Sequence, residues 1–223
     1  MNYKLPCVCF VVPLLFWFTT PALATFSIIV YDQKSGLFGA ASASCHPSFE
    51  KNVDVGKLLT VIVPEKGIVT IQGYVGDDNP LKKDTEQLLR ESNYKDAMDL
   101  IDKLRRVESS AGNHNNYQNV QYLVIVKKHD GTLSGAAHTG KKLKKLTPDN
   151  NHAPEADEVY FQDLVVAGNR LTPFKEKTIM AQMYNTYYAS EGSLEDKLIN
   201  AISSVNELAR IFHKQAATTI PSS

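Results

Sequence analysis

Apolar residues are distributed along this chain in three patterns, and each predicts a different kind of element. Between residues 5 and 18 nearly every side chain is apolar. From residue 26 onward they form short β-rich runs separated by Gly, Asp, Asn and Pro. Residues 26–31 and 37–44 read as a hairpin around Asp32-Gln33-Lys34-Ser35-Gly36, with Gly39, Ala40, Ala41, Ser42, Ala43 and Ser44 filling its second arm. Such small side chains let another layer or a ligand approach closely. Residues 58–63 and 68–72 flank Pro64-Glu65-Lys66-Gly67 as a second hairpin, residues 120–126 and 132–138 flank Asp130-Gly131 as a third, and 164–167 reads as a short buried strand.

The third pattern is helical. Ala97, Met98, Ile101 and Leu104 recur at helical spacing after Asn93, which reads as the cap, while the charged residues between them point mainly elsewhere. Two helical segments close the chain. Ser193-Leu194-Glu195-Asp196 resembles a capping box for the last of them, whose Leu198, Ile202, Val205 and Leu208 share a face. The polar stretch 109–119 reads as an exposed loop, and a second long loop carries Pro148 and Pro154. Hairpins separated by amphipathic helices predict an α+β domain in which helices cover antiparallel sheets.

The first pattern changes what the rest means. Lys4, the apolar stretch 5–18 and the small residues Ala22 and Ala24 form a signal peptide over residues 1–24, leaving one domain over 25–223. The competing reading is an uncleaved anchor, but Pro6 and Pro13 interrupt the apolar stretch, which is shorter than the about 20 residues a comfortable membrane span needs. Cleavage predicts an exported protein, periplasmic or secreted, with no stable membrane span in its mature form. It also makes Thr25 a free N-terminus. A threonine hydroxyl beside its own α-amine joins nucleophile and base in one residue, because that amine has a reference pKa of about 7.7 to 8.0.

Composition narrows the partners. The 24 Lys and Arg balance the 24 Asp and Glu, and near-zero charge argues against nucleic acid or an anionic membrane as the general partner. Cys7 and Cys9 leave with the leader, so Cys45 is alone in the mature chain and an intramolecular disulfide is excluded; it is either buried as a small apolar residue or available to react. His46, His114, His129, His138, His152 and His213 lack short ligand spacing, so no metal site is expected. The chain carries neither a dinucleotide fingerprint nor a phosphate loop, and no cofactor is expected. Lys141, Lys142, Lys144 and Lys145 read as a solvated loop or as a patch favouring an acidic substrate.

Particular residues carry a resemblance. Residues 25–32 followed by Ser35-Gly36-Leu37-Phe38-Gly39-Ala40-Ala41-Ser42-Ala43-Ser44 resemble the opening of the DUF1028 family, which is similar to the N-terminal nucleophile (Ntn) hydrolases. Thr70-Ile71-Gln72 lies where that family has an Ala-Thr-Gln-like segment, His138-Thr139-Gly140 resembles its His-Thr-Gly motif, and Gly168-Asn169 its Gln-Gly-Asn motif with Ala167 in place of the glutamine. The resemblance implies a four-layer αββα sandwich built on two antiparallel sheets.

Together these features predict an exported hydrolase acting on an amide bond of a small molecule or peptide through an acyl-enzyme on Thr25. Asn169 or a backbone N–H is a source of oxyanion donors, with a local turn role as the alternative. Ser44, Thr70 and Gln72 either line the site or bond across sheets; His138 and Thr139 either relay and orient or are structural. The other functional class is a noncatalytic binding protein on the same fold, with Thr25 an ordinary first strand residue. The oligomeric state is open.

Overall fold

The computed structural model describes residues 25–44, 55–73, 80–110, 116–141, 143, 157–169 and 176–205. The expected signal peptide, Cys45, Lys142, Lys144, Lys145 and four of the histidines (His46, His114, His152 and His213) lie outside the described residues. Among the described residues, eight strands form two sheets in which every neighbouring pair is antiparallel. In the first, β1 (Thr25–Asp32) lies between β2 (Leu37–Ser44) and β8 (Leu164–Asn169), and β7 (Asp157–Tyr160) flanks β8. The second runs β3 (Thr60–Val63), β4 (Gly67–Gln72), β5 (Gln121–Lys127), β6 (Leu133–Thr139). The fold is mixed α+β.

Alternation within the strands dictates the packing. In β1, Phe26, Ile28 and Val30 face α4 (Glu176–Ala189) and α5 (194–205), meeting Met180, Met183, Leu198 and Ala201 in one apolar cluster. Ile29 points the other way and meets Ile68, Leu123, Ile125, Ala137, Val165 and Ala167 between the sheets. The far face of the second sheet, with Val69, Ile71, Tyr122 and Val124, packs against α2 (Pro80–Glu91) and α3 (Ala97–Ser110) through Leu89, Leu100, Ile101 and Leu104. Among the described residues, no helix is long and apolar enough to cross a membrane.

Both expected first strands pair in full register from Thr25↔Ser44 to Asp32↔Leu37. Their turn is closed by Asp32, whose carboxylate accepts from the Ser35 N–H at 2.9 Å and the Ser35 hydroxyl at 2.5 Å. Gly36 follows at φ 72°, a left-handed position suited to glycine. The Ser193 box also forms, since the Asp196 N–H donates to Ser193 Oγ at 3.2 Å and the Ser193 N–H donates to Asp196 Oδ2 at 3.0 Å.

The structure departs from the sequence reading at four places. Residues 55–59 form a short helix, α1 (Val55–Leu59), where the reading of 58–63 began a strand; the adjacent pair Leu58-Leu59 does not alternate, and the helix buries Leu59. Strand β7 lies within the stretch read as loop, because its pairing with β8 comes from a distant partner. Helix α2 was not anticipated, although Pro80 at its first position is a start signal and Leu81, Thr85, Leu88 and Leu89 mark a face. The cap of α3 is Asp96 rather than Asn93: the Asp99 N–H donates to Asp96 Oδ1 at 2.9 Å, and the Lys95 N–H donates to Asp99 Oδ2 at 3.0 Å. Asn93 instead accepts from the Lys103 ammonium.

Asp96→Ala is therefore expected to lower stability by about 1 kcal/mol, measured by urea unfolding, whereas Asn93→Ala leaves the α3 cap intact. A second expectation concerns alkaline pH. Burial, reinforced by the Asp32 carboxylate, pushes the Tyr187 phenol up to about 12; Tyr188 is pushed in the same direction by partial desolvation and the Asp163 carboxylate, but at 51% exposed it contributes less. Between the ordinary phenol range near 10 and about 12 the unfolded chain releases protons that the fold retains. Stability contributed by these neutral phenols is thus complete below about pH 10 and falls as pH rises towards 12. Unfolding midpoints should decline across that window, and less so in Tyr187→Phe.

Candidate functional site

The space between the sheets is apolar over most of its length and turns polar at one end. On β1 the inward positions read Thr25, Ser27, then Ile29; on β8 they read Asn169, Ala167, Val165. The opposing sheet repeats the pattern, with Gln72 and Thr70 before Ile68 on β4, Gln121 before Leu123 on β5, and Thr139 before Ala137 on β6. Registers align these polar ends into two rows, Ser44↔Thr25↔Asn169 in one sheet and Gln72↔Gln121↔Thr139 in the other.

Thr25 is 9% exposed, and its Oγ1 lies 2.9 Å from the Ser44 hydroxyl oxygen. One step along, Ser42 and Ser27 are hydrogen-bonded at 2.7 Å, and the Ser27 hydroxyl donates to Gln72 Oε1 at 2.8 Å. That uses the single Ser27 proton, so Ser42 is the donor to Ser27. Gln72 Nε2 donates to Gln121 Oε1 and, at 3.4 Å, to the Ala167 carbonyl. Gln121 Nε2 donates to Thr139 Oγ1 at 2.8 Å and the Gly168 carbonyl at 3.0 Å, while its Oε1 also accepts from Asn169 Nδ2 at 3.2 Å. These bonds cross from sheet to sheet. Burial without partners would cost about 1 to 3 kcal/mol for each such group, which makes the chain of bonds a condition of closing the sheets at this end.

The sequence-derived site residues divide sharply in space. Ser44 and Asn169 flank Thr25 directly, and Gln72 joins the same end through Ser27. Thr139 belongs to the opposite row. Thr70 is inward-facing but pairs its hydroxyl with that of Thr60 at 2.8 Å. His138 alternates onto the other face of β6, the side on which Ser134 Oγ accepts from the Ala97 N–H and Ala136 packs with α3; a direct relay to Thr25 is therefore not supported by its placement. Gly140 donates its N–H to the Val120 carbonyl at 2.9 Å.

Sequence reasoning did not single out Ser27, Ser42 or Gln121 as site residues. Their signal was a polar residue at the end of an otherwise apolar inward stripe, legible once strand pairing is known. Gly73 closes the strand after Gln72: at φ 109°, an added Cβ would sit 2.4 Å from the Asn119 carbonyl oxygen. No side chain in the network of Thr25, Ser27, Ser42, Ser44, Gln72, Gln121, Thr139 and Asn169 bears a charge at neutral pH. Among the described residues, no group of three or more His, Cys, Asp or Glu is arranged to hold a metal ion.

Comparisons with known proteins place this architecture. Residues 25–208 match DUF1028, described as a family of unknown function. A crystal structure of a protein from Silicibacter pomeroyi that carries the same family designation is similar in fold, with a TM-score of 0.58 at 19% sequence identity, covering 82% of this chain and 70% of that one. No curated protein matches the sequence.

Proposed function

The chain belongs to the DUF1028 family, and from that premise we propose that it is an exported hydrolase of the N-terminal nucleophile type, cleaving an amide bond through an acyl-enzyme on Thr25. The observation that carries the reading is the position of Thr25: first residue of a central strand, its hydroxyl 2.9 Å from Ser44 Oγ and its backbone in register with Asn169. Two further observations support it. The family match begins at residue 25, the position that would follow the expected leader. The apolar clusters join helices, sheet, sheet and helices in that order, which favours reading the fold as the αββα sandwich of those hydrolases.

The chemistry follows from the residues at that end. Removal of residues 1–24 frees the Thr25 α-amine, and the charge-free network offers no competing base near neutrality. Thr25 Oγ1 attacks the carbonyl carbon while its proton passes to the α-amine, directly or through one water. The C–N bond then breaks and the departing nitrogen takes that proton. Water attacks the resulting ester, releases the acid and restores the hydroxyl. Asn169 supplies a hydrogen-bond donor to the carbonyl oxygen as negative charge develops there. The substrate is a small molecule or peptide.

Intact-mass measurement of exported protein, followed by incubation with a β-lactone, tests the reading. The expected result is a chain starting at Thr25 with one adduct mapped to that residue. A chain retaining residues upstream of Thr25, or a mature chain that forms no adduct and hydrolyses none of a panel of amides, would overturn it in favour of a binding protein on this fold.

A further inference from the structure

We infer that Gln121 is a positioning residue for the Thr25 site: it fixes which end of the Asn169 carboxamide is held and so keeps an N–H available beside Thr25. The inference rests on reading Thr25 as a nucleophile. Two backbone carbonyls orient the network, because a carbonyl oxygen accepts and never donates. The Ala167 carbonyl receives Gln72 Nε2 and the Gly168 carbonyl receives Gln121 Nε2, which turns Gln121 Oε1 towards Gln72 Nε2 and Asn169 Nδ2.

Gln121 is then saturated. Both amide hydrogens are donated, to Thr139 Oγ1 and Gly168 O, and Oε1 accepts twice. It is fully buried, so no exchange with water relieves a wrong orientation. Turning Asn169 over would set its carbonyl oxygen against Gln121 Oε1, two acceptors face to face. Held as it is, Asn169 is 1% exposed and gives one amide hydrogen to Gln121, leaving its second without an acceptor among the described residues. Strand register sets that amide next to Thr25. The remaining hydrogen is the donor to an acyl oxygen, and Gln121, which does not adjoin Thr25 in its sheet, selects it.

The test measures acylation of the mature protein by a β-lactone, as the first-order rate of Thr25 adduct formation followed by mass spectrometry. In this reaction Thr25 Oγ1 bonds to the ring carbonyl carbon, the ring C–O bond breaks, and the hydroxyl proton passes by way of the α-amine to the released alkoxide. Asn169→Ala is expected to slow acylation by about a hundredfold. Gln121→Met is expected to slow it about tenfold in the parent but by no more than about threefold on the Asn169→Ala background, because it acts through that side chain. Gln121→Glu keeps the acceptor oxygen while losing the amide donors; it should unfold at lower temperature yet recover most of the rate lost in Gln121→Met. Full additivity of the Gln121→Met and Asn169→Ala losses, or a Gln121→Glu rate as low as that of Gln121→Met in folded protein, overturns the inference and leaves Gln121 structural. A parent that forms no Thr25 adduct overturns the nucleophile reading itself and this inference with it. If Gln121→Met fails to fold, the same cycle is run with Gln121→Glu, which keeps the acceptor; loss of the Asn169→Ala effect on the Gln121→Glu background would then be the overturning result.

Discussion

Mature Thr25→Ala protein is expected to fold but to lose acylation and turnover by about a thousandfold or more, because the substitution removes the attacking oxygen while leaving the surrounding strand in place. Stability should change little. The lost contact is one partly buried bond to Ser44, worth about 0.5 to 1.5 kcal/mol. Thr25→Ser keeps an Oγ beside the α-amine and should retain partial activity. Acetylation of the terminal amine, with Thr25 intact, should abolish acylation as completely as Thr25→Ala, since the hydroxyl then has no adjacent base. The measurements are adduct formation by mass spectrometry and hydrolysis of a panel of amides, including acidic ones. Undiminished turnover in Thr25→Ala would refute the mechanism.

The largest expected loss of stability comes from a residue far from that chemistry. Gly135 pairs with Ile125 and faces the bend between β7 and β8, where an added Cβ would lie 1.8 Å from the Phe161 carbonyl oxygen and 3.0 Å from its carbonyl carbon. Backbone of one sheet's connection rests directly on backbone of the other sheet. The bend cannot simply move away, because the Phe161 N–H donates to the Leu164 carbonyl at 2.7 Å and so ties it to the start of β8. Gly135→Ala should therefore cost about 3 kcal/mol or more. In a domain of this size that lowers the unfolding temperature by roughly 6 to 12 °C. Gly131→Ala is the control: its added Cβ meets nothing within 4 Å, and only the φ of 81° is strained. Its cost should be about 1 kcal/mol. Equal thermal shifts for the two variants would contradict the close approach of the sheets at Gly135.

Local signals made the first and third hairpins legible, since Asp32 to Gly36 and Asp130-Gly131 are turn chemistry that acts within a few residues. The Ser193 capping box was legible for the same reason. The period of Ala97, Ile101 and Leu104 predicts helix α3 but not its cap, because several polar residues precede the helix and only the hydrogen bond between Asp96 and Asp99 distinguishes Asp96 from Asn93. Strand β7 was hidden because its pairing partner arrives from β8. Among the site residues, Thr25, Ser44 and Asn169 were named from sequence and prove to be strand neighbours, whereas His138 was named from the same kind of motif and faces away.

The sequence alone therefore determined most of the strand segments, where the principal turns fall, and that Thr25 opens the first strand. Those properties depend on neighbours within a few positions, through side-chain alternation and turn geometry. Tertiary structure alone decided that the polar ends of β1, β8, β4, β5 and β6 meet at the same edge of the two sheets, and that Gln121 links them. Carboxamides and hydroxyls carry no preference for a particular distant partner until burial removes water and obliges each donor to find an acceptor. Pairing of strands more than a hundred residues apart brings them within that reach.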